Sequence, residues 1–342
     1  MIVKNEECII RRNLLSSLPL VDTFLIIDTG STDNTVLTIH EVASSLNKTG
    51  TILHRPWVNF GHNRTELLIE SRSICDFSLM LDADDYVSGQ LPSLDLNSNG
   101  YLVPCELGGI LFYRPHIFNS KCNWKYQGSV HEYVIGGEAV KTEMSLVIHT
   151  RCEGIRSKNP TKYLDDALLL ERILSAPSSE DYDRNVFYCA QSYRDAGLLE
   201  SAKRYYSLRI TLEGWHEEVY MSYLNLIRMA DSSKEILALA WKGVQCNNQR
   251  KDIPYYVLKW HRQRDIFIEE VFGLSYLYVD NKISHLFLFS DIDAYSWSYY
   301  DEIGLYAYYT GRKKLAQHMF RRCLSSCPDR EVTRITQNLK YE

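Results

Sequence analysis

A change of sequence grammar near Asn159-Pro160 constrains this chain more than any other feature. Before about Thr150, short β-rich apolar runs alternate with turn residues and helical stretches, the pattern of an α/β domain. Beyond it the apolar residues fall into long amphipathic segments, beginning with Tyr163-Leu164-Asp165-Asp166-Ala167-Leu168-Leu169-Leu170-Glu171. At 342 residues the chain is long for a single core. Two domains are therefore expected, an α/β domain over 1–155 and an all-helical one over 156–342.

In the first half, the run Val21 to Asp28 ends in Thr29-Gly30-Ser31-Thr32-Asp33, where Gly permits a tight turn and Asp33 can cap a helix. Phe77-Ser78-Leu79-Met80-Leu81 repeats the arrangement. It delivers Asp82, Ala83, Asp84 and Asp85 to the carboxyl end of a strand, where open α/β sheets hold their ligands. A third run, Met144 to His149, reads as a strand ending in histidine. The first run, Ile2-Val3, is short, and a weak sheet edge is expected there. In the second half, 183–210 suits two antiparallel helices with Gly197 at the turn and Ala202 at the contact. The same step recurs as Gly311 and Ala316. These units resemble tetratricopeptide-type hairpins, whose small residues let paired helices approach closely. The tyrosines of this half are expected to fill helix interfaces while keeping a hydrogen-bonded hydroxyl.

Composition removes several function classes. A net charge of -5 without a long basic block argues against a nucleic-acid partner and favours a small-molecule substrate. The apolar runs Phe24 to Ile27 and His285 to Phe289 fall far short of the roughly 20 residues that span a bilayer. Met1 to Glu7 lacks the apolar core of a signal peptide, and nine scattered cysteines show no paired metal-ligand spacing. A soluble, cytoplasmic protein with reduced thiols is the expectation.

The chemistry concentrates at Asp82-Ala83-Asp84. Two carboxylates one residue apart can face a single cleft and anchor a divalent cation, with small Ala83 leaving the cleft open. Three other segments precede it in order: Met1 to Glu7, Asp28-Thr29-Gly30-Ser31-Thr32-Asp33-Asn34-Thr35, and Asn59-Phe60-Gly61-His62-Asn63-Arg64. Together the four resemble the nucleotide-sugar half of family 2 glycosyltransferases with the GT-A fold. The later segments most resemble the bacterial peptide S-glycosyltransferase-like branch, which carries a tetratricopeptide-like tail.

That resemblance implies roles for particular residues. Val3, Asn5 and Glu6 would lie against the base and ribose, with Asp28 binding either. Arg64 would approach the diphosphate, and Asp82 and Ala83 the donor. Asp84 would ligate Mn2+ or Mg2+, with Asp82 beside it and His149 as a third ligand. Arg151 and Arg156 would help hold the diphosphate. In Trp124-Lys125-Tyr126-Gln127-Gly128-Ser129-Val130-His131-Glu132-Tyr133, either Glu132 or His131 would be the base, since neighbours on a strand face opposite ways. Trp124 would stack on sugar or close the core.

The function this implies is inverting hexosyl transfer from a UDP- or GDP-sugar, with UDP favoured, to a peptide, protein or glycan. The helical half would present the acceptor or mediate self-association. A nucleotidyltransferase would want a Gly-rich phosphate loop near the start, which is absent from the sequence. A non-catalytic repeat protein carrying a relic first domain is the other alternative. The intact Asp28, Asp82 and Asp84 argue against it.

Overall fold

The computed structural model describes residues 1–142, 145–176, 181–284 and 287–340. Met144, His285 and Leu286, which belong to two of the apolar runs above, lie outside them. The chain divides into two units, Met1–Lys162 and Tyr163–Glu342.

The first unit opens with β1 (Ile2–Val3), α1 (Glu7–Ser17), β2 (Phe24–Asp28), α2 (Thr35–Ser45), β3 (Gly50–His54) and α3 (Phe60–Ser71). The three strands form a parallel sheet in that order, with Val3 opposite Asp28 and Asp28 opposite His54. Only the second part of the apolar run from Val21 is strand, because the Val21 carbonyl instead accepts the Lys48 ammonium at 2.6 Å. Asp33 satisfies the first amides of two helices at once. Its carboxylate accepts from Thr35 N at 3.0 Å and from Glu7 N at 3.2 Å, which ties the starts of α1 and α2 together. Helix α3 is capped by Asn59, whose side chain accepts from His62 N at 2.8 Å.

From Phe77 onward the unit is β-rich. The strands are β4 (Phe77–Leu79), β5 (Tyr86–Gly89), β6 (Gly100–Leu107), β7 (Ile110–Asn119), β8 (Lys125–Gln127), β9 (Tyr133–Ile135), β10 (Ala139–Lys141) and β11 (Leu146–His149). A mixed sheet runs β4-β7-β6-β11-β5 with β10 also on β6, and β8 pairs with β9. Gly108 and Gly109, both at positive φ (58° and 84°), close the long β6–β7 hairpin in the two-residue turn that a twisted ribbon favours. Trp124 is a packing residue: it is buried edge-on against Phe118, and its indole N–H donates to Asn99 O at 2.9 Å. The carboxyl ends of β1, β2 and β4 are left carrying Asn5, Asp28 and Asp82.

The second unit is helical: α4 (Lys162–Leu174), α5 (Tyr182–Asp195), α6 (Leu199–Arg209), α7 (His216–Arg228), α8 (Ser233–Cys246), α9 (Asp252–Arg262), α10 (Glu269–Tyr276), α11 (Trp297–Tyr309), α12 (Lys313–Leu324) and α13 (Asp329–Asn338). Helices α5 and α6 pack as one hairpin and α11 and α12 as another. Gly197 and Gly311 take φ 78° and 80° at their turns, and Ala202 and Ala316 are buried at the contacts. The buried tyrosines behave as packing residues with satisfied hydroxyls, Tyr299 donating to Ser275 O at 2.7 Å and Tyr306 to Ile268 O at 3.1 Å. Among the described residues, no helix is long and apolar enough to cross a membrane.

Candidate active site

At the ends of β1 and β2 the backbone is folded by its own polar side chains. Val3 is buried, and its carbonyl accepts from both Thr29 N and Thr29 Oγ1 at 2.9 and 3.1 Å. Asn5 takes a left-handed φ of 57°, a conformation Asn tolerates better than most residues, and so turns the chain from β1 into α1. There it donates from its amide to Ser31 Oγ at 3.0 Å and accepts from Thr32 N at 2.7 Å. Asp28 is buried and accepts from Ser31 N at 3.1 Å and Ser31 Oγ at 2.5 Å. Its second oxygen faces His54 Nδ1 at 3.2 Å.

Residues 82–85 form a turn closed by Asp85 N donating to Asp82 O at 3.2 Å. The two aspartates of the motif consequently reach different partners. Asp82 bonds Arg64, whereas Asp84 accepts from Glu153 N at 3.0 Å and Gly154 N at 3.2 Å. Ala83 turns its methyl into the core beside Val3 and Ile10, so any ligand contact from this residue falls to its backbone. Glu6 accepts from the neighbouring Ile155 N at 3.3 Å. Burial, with the charges of Asp84 and Asp33 added, pushes the Glu6 carboxyl up to about 7. Burial and the charge of Asp82 likewise raise Asp84. Asp85 is pushed up to about 7 by burial and by Asp82, and its Oδ1 is buried with no hydrogen-bond partner. Four carboxylates are thus crowded at one end of the unit.

The cation set against them is Arg64. From α3 it reaches Asp82 on one side and Glu132 on the other, at 2.7 Å from Nη1, and its side chain is only 16% exposed. Burial opposes its charge, but Asp82 and Glu132 outweigh that cost and hold the guanidinium protonated. Burial raises the Glu132 carboxyl while Arg64 works the other way. Glu132 and His131 lie in the loop between β8 and β9 rather than on a strand. The left-handed turn at His131 (φ 53°) leaves that residue exposed, while the Glu132 side chain stays 9% exposed. Arg156, in a short 3-10 helix (Ile155–Lys158), lies over the Phe60 ring at 4.8 Å and acts electrostatically on Glu132.

His149 and Arg151 belong to a different cluster. Glu106 Oε2 lies 3.2 Å from His149 Nδ1, and a carboxylate can only accept, so that nitrogen carries the proton. Nε2 lies 2.8 Å from the Ser88 hydroxyl, and the ring stacks on Tyr86 at 4.5 Å. Arg151 bonds Glu106 Oε2 at 3.2 Å and Tyr86 OH at 3.1 Å. The structure does not bring His149 together with Asp82 and Asp84: among the described residues, no three His, Cys, Asp or Glu side chains are gathered to hold a metal. Asp82, Asp84 and Asp85 offer hard carboxylate oxygens, the donor type a divalent cation prefers, and Asp85 Oδ1 is buried without a hydrogen-bond partner.

Two residues with no role assigned from sequence stand in the site. Asp85 carries the orphaned oxygen, and its adjacency to the motif was the available signal. His116, on β7, bonds Met80 O through Nδ1 at 2.7 Å. Burial drives its pKa down to about 4, so a neutral imidazole stands near Asp82. Nothing in the local sequence marks it.

No protein-family model and no curated protein sequence matches the chain. Among solved structures it is similar to S. aureus TarS 1-349 in complex with UDP-GlcNAc, at 15% identity over 78% of this chain and 91% of that one, with a TM-score of 0.34. It is also similar to MamA, at 15% identity over 50% of this chain and 93% of that one, with a TM-score of 0.38. A thermophilic TPR protein of Thermus thermophilus aligns at 13% identity over 52% of this chain and 91% of that one, with a TM-score of 0.31.

Proposed function

We propose that the first unit is a metal-dependent, inverting glycosyltransferase that moves a sugar from a nucleotide-diphosphate donor, UDP-linked by preference, to a hydroxyl or thiol of a peptide, protein or glycan. The observation that carries this reading is the Asp82–Arg64–Glu132 bridge beside a surplus of carboxylates. It joins a candidate cation anchor, a diphosphate-sized positive charge and a candidate base through a single side chain.

In this mechanism Asn5 and Asp28 hold the base and ribose. Asp84, with Asp82 or Asp85, would hold Mn2+ or Mg2+, which when bound would neutralise the departing diphosphate. Arg64 exchanges part of its pairing with Asp82 for the diphosphate oxygens, and Arg156 adds a second positive charge from the Phe60 side. Glu132 takes the proton from the acceptor as the acceptor's oxygen or sulfur bonds to the anomeric carbon. The bond from that carbon to the phosphate oxygen breaks on the opposite face, and its electron pair leaves with the nucleoside diphosphate. A carboxyl whose pKa burial has raised is a stronger base than a surface glutamate, which suits that task. The acceptor is the helical unit's business on this reading.

Mass spectrometry of UDP- and GDP-sugars incubated with the protein and Mn2+ tests the proposal. Slow release of free sugar and nucleoside diphosphate, absent in Asp84→Ala, is the expected result. Intact donors across the whole panel would remove the enzyme reading.

A further inference from the structure

Helix α1 buries Ile10 and Leu14 in the core and turns Arg12, Asn13 and Ser16 together toward the acidic turn, since residues three and four apart share a helix face. Asn13 is fully buried and donates from Nδ2 to Asp82 O at 2.7 Å, while its Oδ1 accepts the Ser17 hydroxyl at 3.0 Å. Ser16 Oγ accepts from Val87 N at 3.1 Å. Arg12 Nη2 donates to Asp84 O at 2.8 Å. The backbone carbonyls of both motif aspartates are thus held from one helix.

Arg12 reaches further. The same Nη2 pairs with Glu153 Oε2 at 2.7 Å, in the segment that follows β11, and the guanidinium lies over the Tyr86 ring at 5.3 Å. The amides of Glu153 and Gly154 in that segment both bond Asp84 Oδ2, at 3.0 and 3.2 Å. Because both take the same oxygen, neither engages Oδ1. A Cβ at Gly154 would meet Glu6 Oε1 at 3.2 Å and Asp84 Oδ2 at 3.6 Å, so the backbone approaches the two carboxylates this closely because residue 154 has no side chain.

We infer that Arg12 is the positioning residue of the cation site. It fixes the Asp84 backbone directly and the Asp84 carboxylate through the Glu153 and Gly154 amides, so that one carboxylate oxygen is presented to Mn2+ or Mg2+. The cation part of this inference rests on the sugar-transfer reading, and the clamp on the geometry alone. Groups that orient a metal ligand from outside contribute about 10- to 100-fold to metal affinity. Charge alone predicts the opposite sign, because a guanidinium repels a nearby cation and its removal should tighten binding.

The test compares Arg12→Ala with Arg11→Ala in the full chain. Each removes one positive charge from α1, but Arg11 is bonded to Glu41 instead. Both arginines are exposed, so both variants are expected to keep Tm within about 3 °C of wild type. Hydrogen exchange at the Gly154 amide is expected to speed up about tenfold in Arg12→Ala and to stay unchanged in Arg11→Ala. Mn2+ titration, followed by the electron paramagnetic resonance signal of the free ion, is expected to show about tenfold weaker binding in Arg12→Ala and no weakening in Arg11→Ala. Unchanged exchange at Gly154, or Mn2+ bound by Arg12→Ala as tightly as by wild type, would overturn the inference. Wild-type protein that binds no Mn2+ would overturn it together with the sugar-transfer reading, which the other outcomes leave standing.

Discussion

The two units treat buried charge in opposite ways. In the helical unit each fully buried arginine is matched by several acceptors. Arg250 is held by Glu217 at 2.7 Å, Asp252 at 3.0 Å and Leu288 O at 2.7 Å. Its Nη2 makes no hydrogen bond, but the guanidinium lies over the Tyr220 ring at 4.6 Å. Arg209 is shared by Glu218 and the carbonyls of Leu212, Glu213 and Trp215. In the α/β unit, Glu6, Asp82, Asp84 and Asp85 crowd together, Arg64 divides its charge between Asp82 and Glu132, and one carboxylate oxygen has no partner. Paired charge fixes a fold, whereas unbalanced charge is what a ligand can balance.

Breaking a matched set should give the largest effect. Arg250→Met strands two buried carboxylates and is expected to cost about 3–5 kcal/mol in denaturant unfolding. A loss under about 1 kcal/mol would contradict the contrast. Glu132→Gln comes next, with kcat lowered roughly 10³-fold and donor KM nearly unchanged. A KM effect alone would make Glu132 a binding residue. Asp84→Asn is expected to cut turnover roughly 100-fold. Its stability should hold or rise at neutral pH, because the carboxyl's folded pKa is raised and its charge opposes folding there. Gly197→Ala, at φ 78°, should cost about 1 kcal/mol through the hairpin turn and leave donor hydrolysis per folded molecule unchanged.

The smallest effect is the dependence of stability on pH. Glu6 has a folded pKa near 7 against an ordinary value of 4.5, so between those values the folded state binds the proton more tightly. Stability should therefore rise as pH falls from about 8 to 5. Glu6→Gln should flatten that slope, and an unchanged slope would show that Glu6 is not crowded in solution.

The sequence was informative where structure is local. Gly197 and Gly311 mark their turns because glycine takes positive φ without strain, and the glycine turn beside Ser31 follows from the same chemistry. It was silent where partners are distant. Arg64 and Glu132 are separated by 68 positions. No local pattern shows that they meet. His149 carries the appearance of a ligand in sequence, and only the register of β11 against β5 and β6 reveals that Ser88 and Glu106 lie beside its ring nitrogens. His131 and Glu132 differ in exposure through a positive φ in a loop that pattern reading treats as strand.

Calorimetric titration of UDP into the protein, with and without Mn2+, and into Asp84→Asn, tests the central claim most directly. The account predicts binding that requires Mn2+ and disappears in the variant. Equal binding in all three conditions would contradict it.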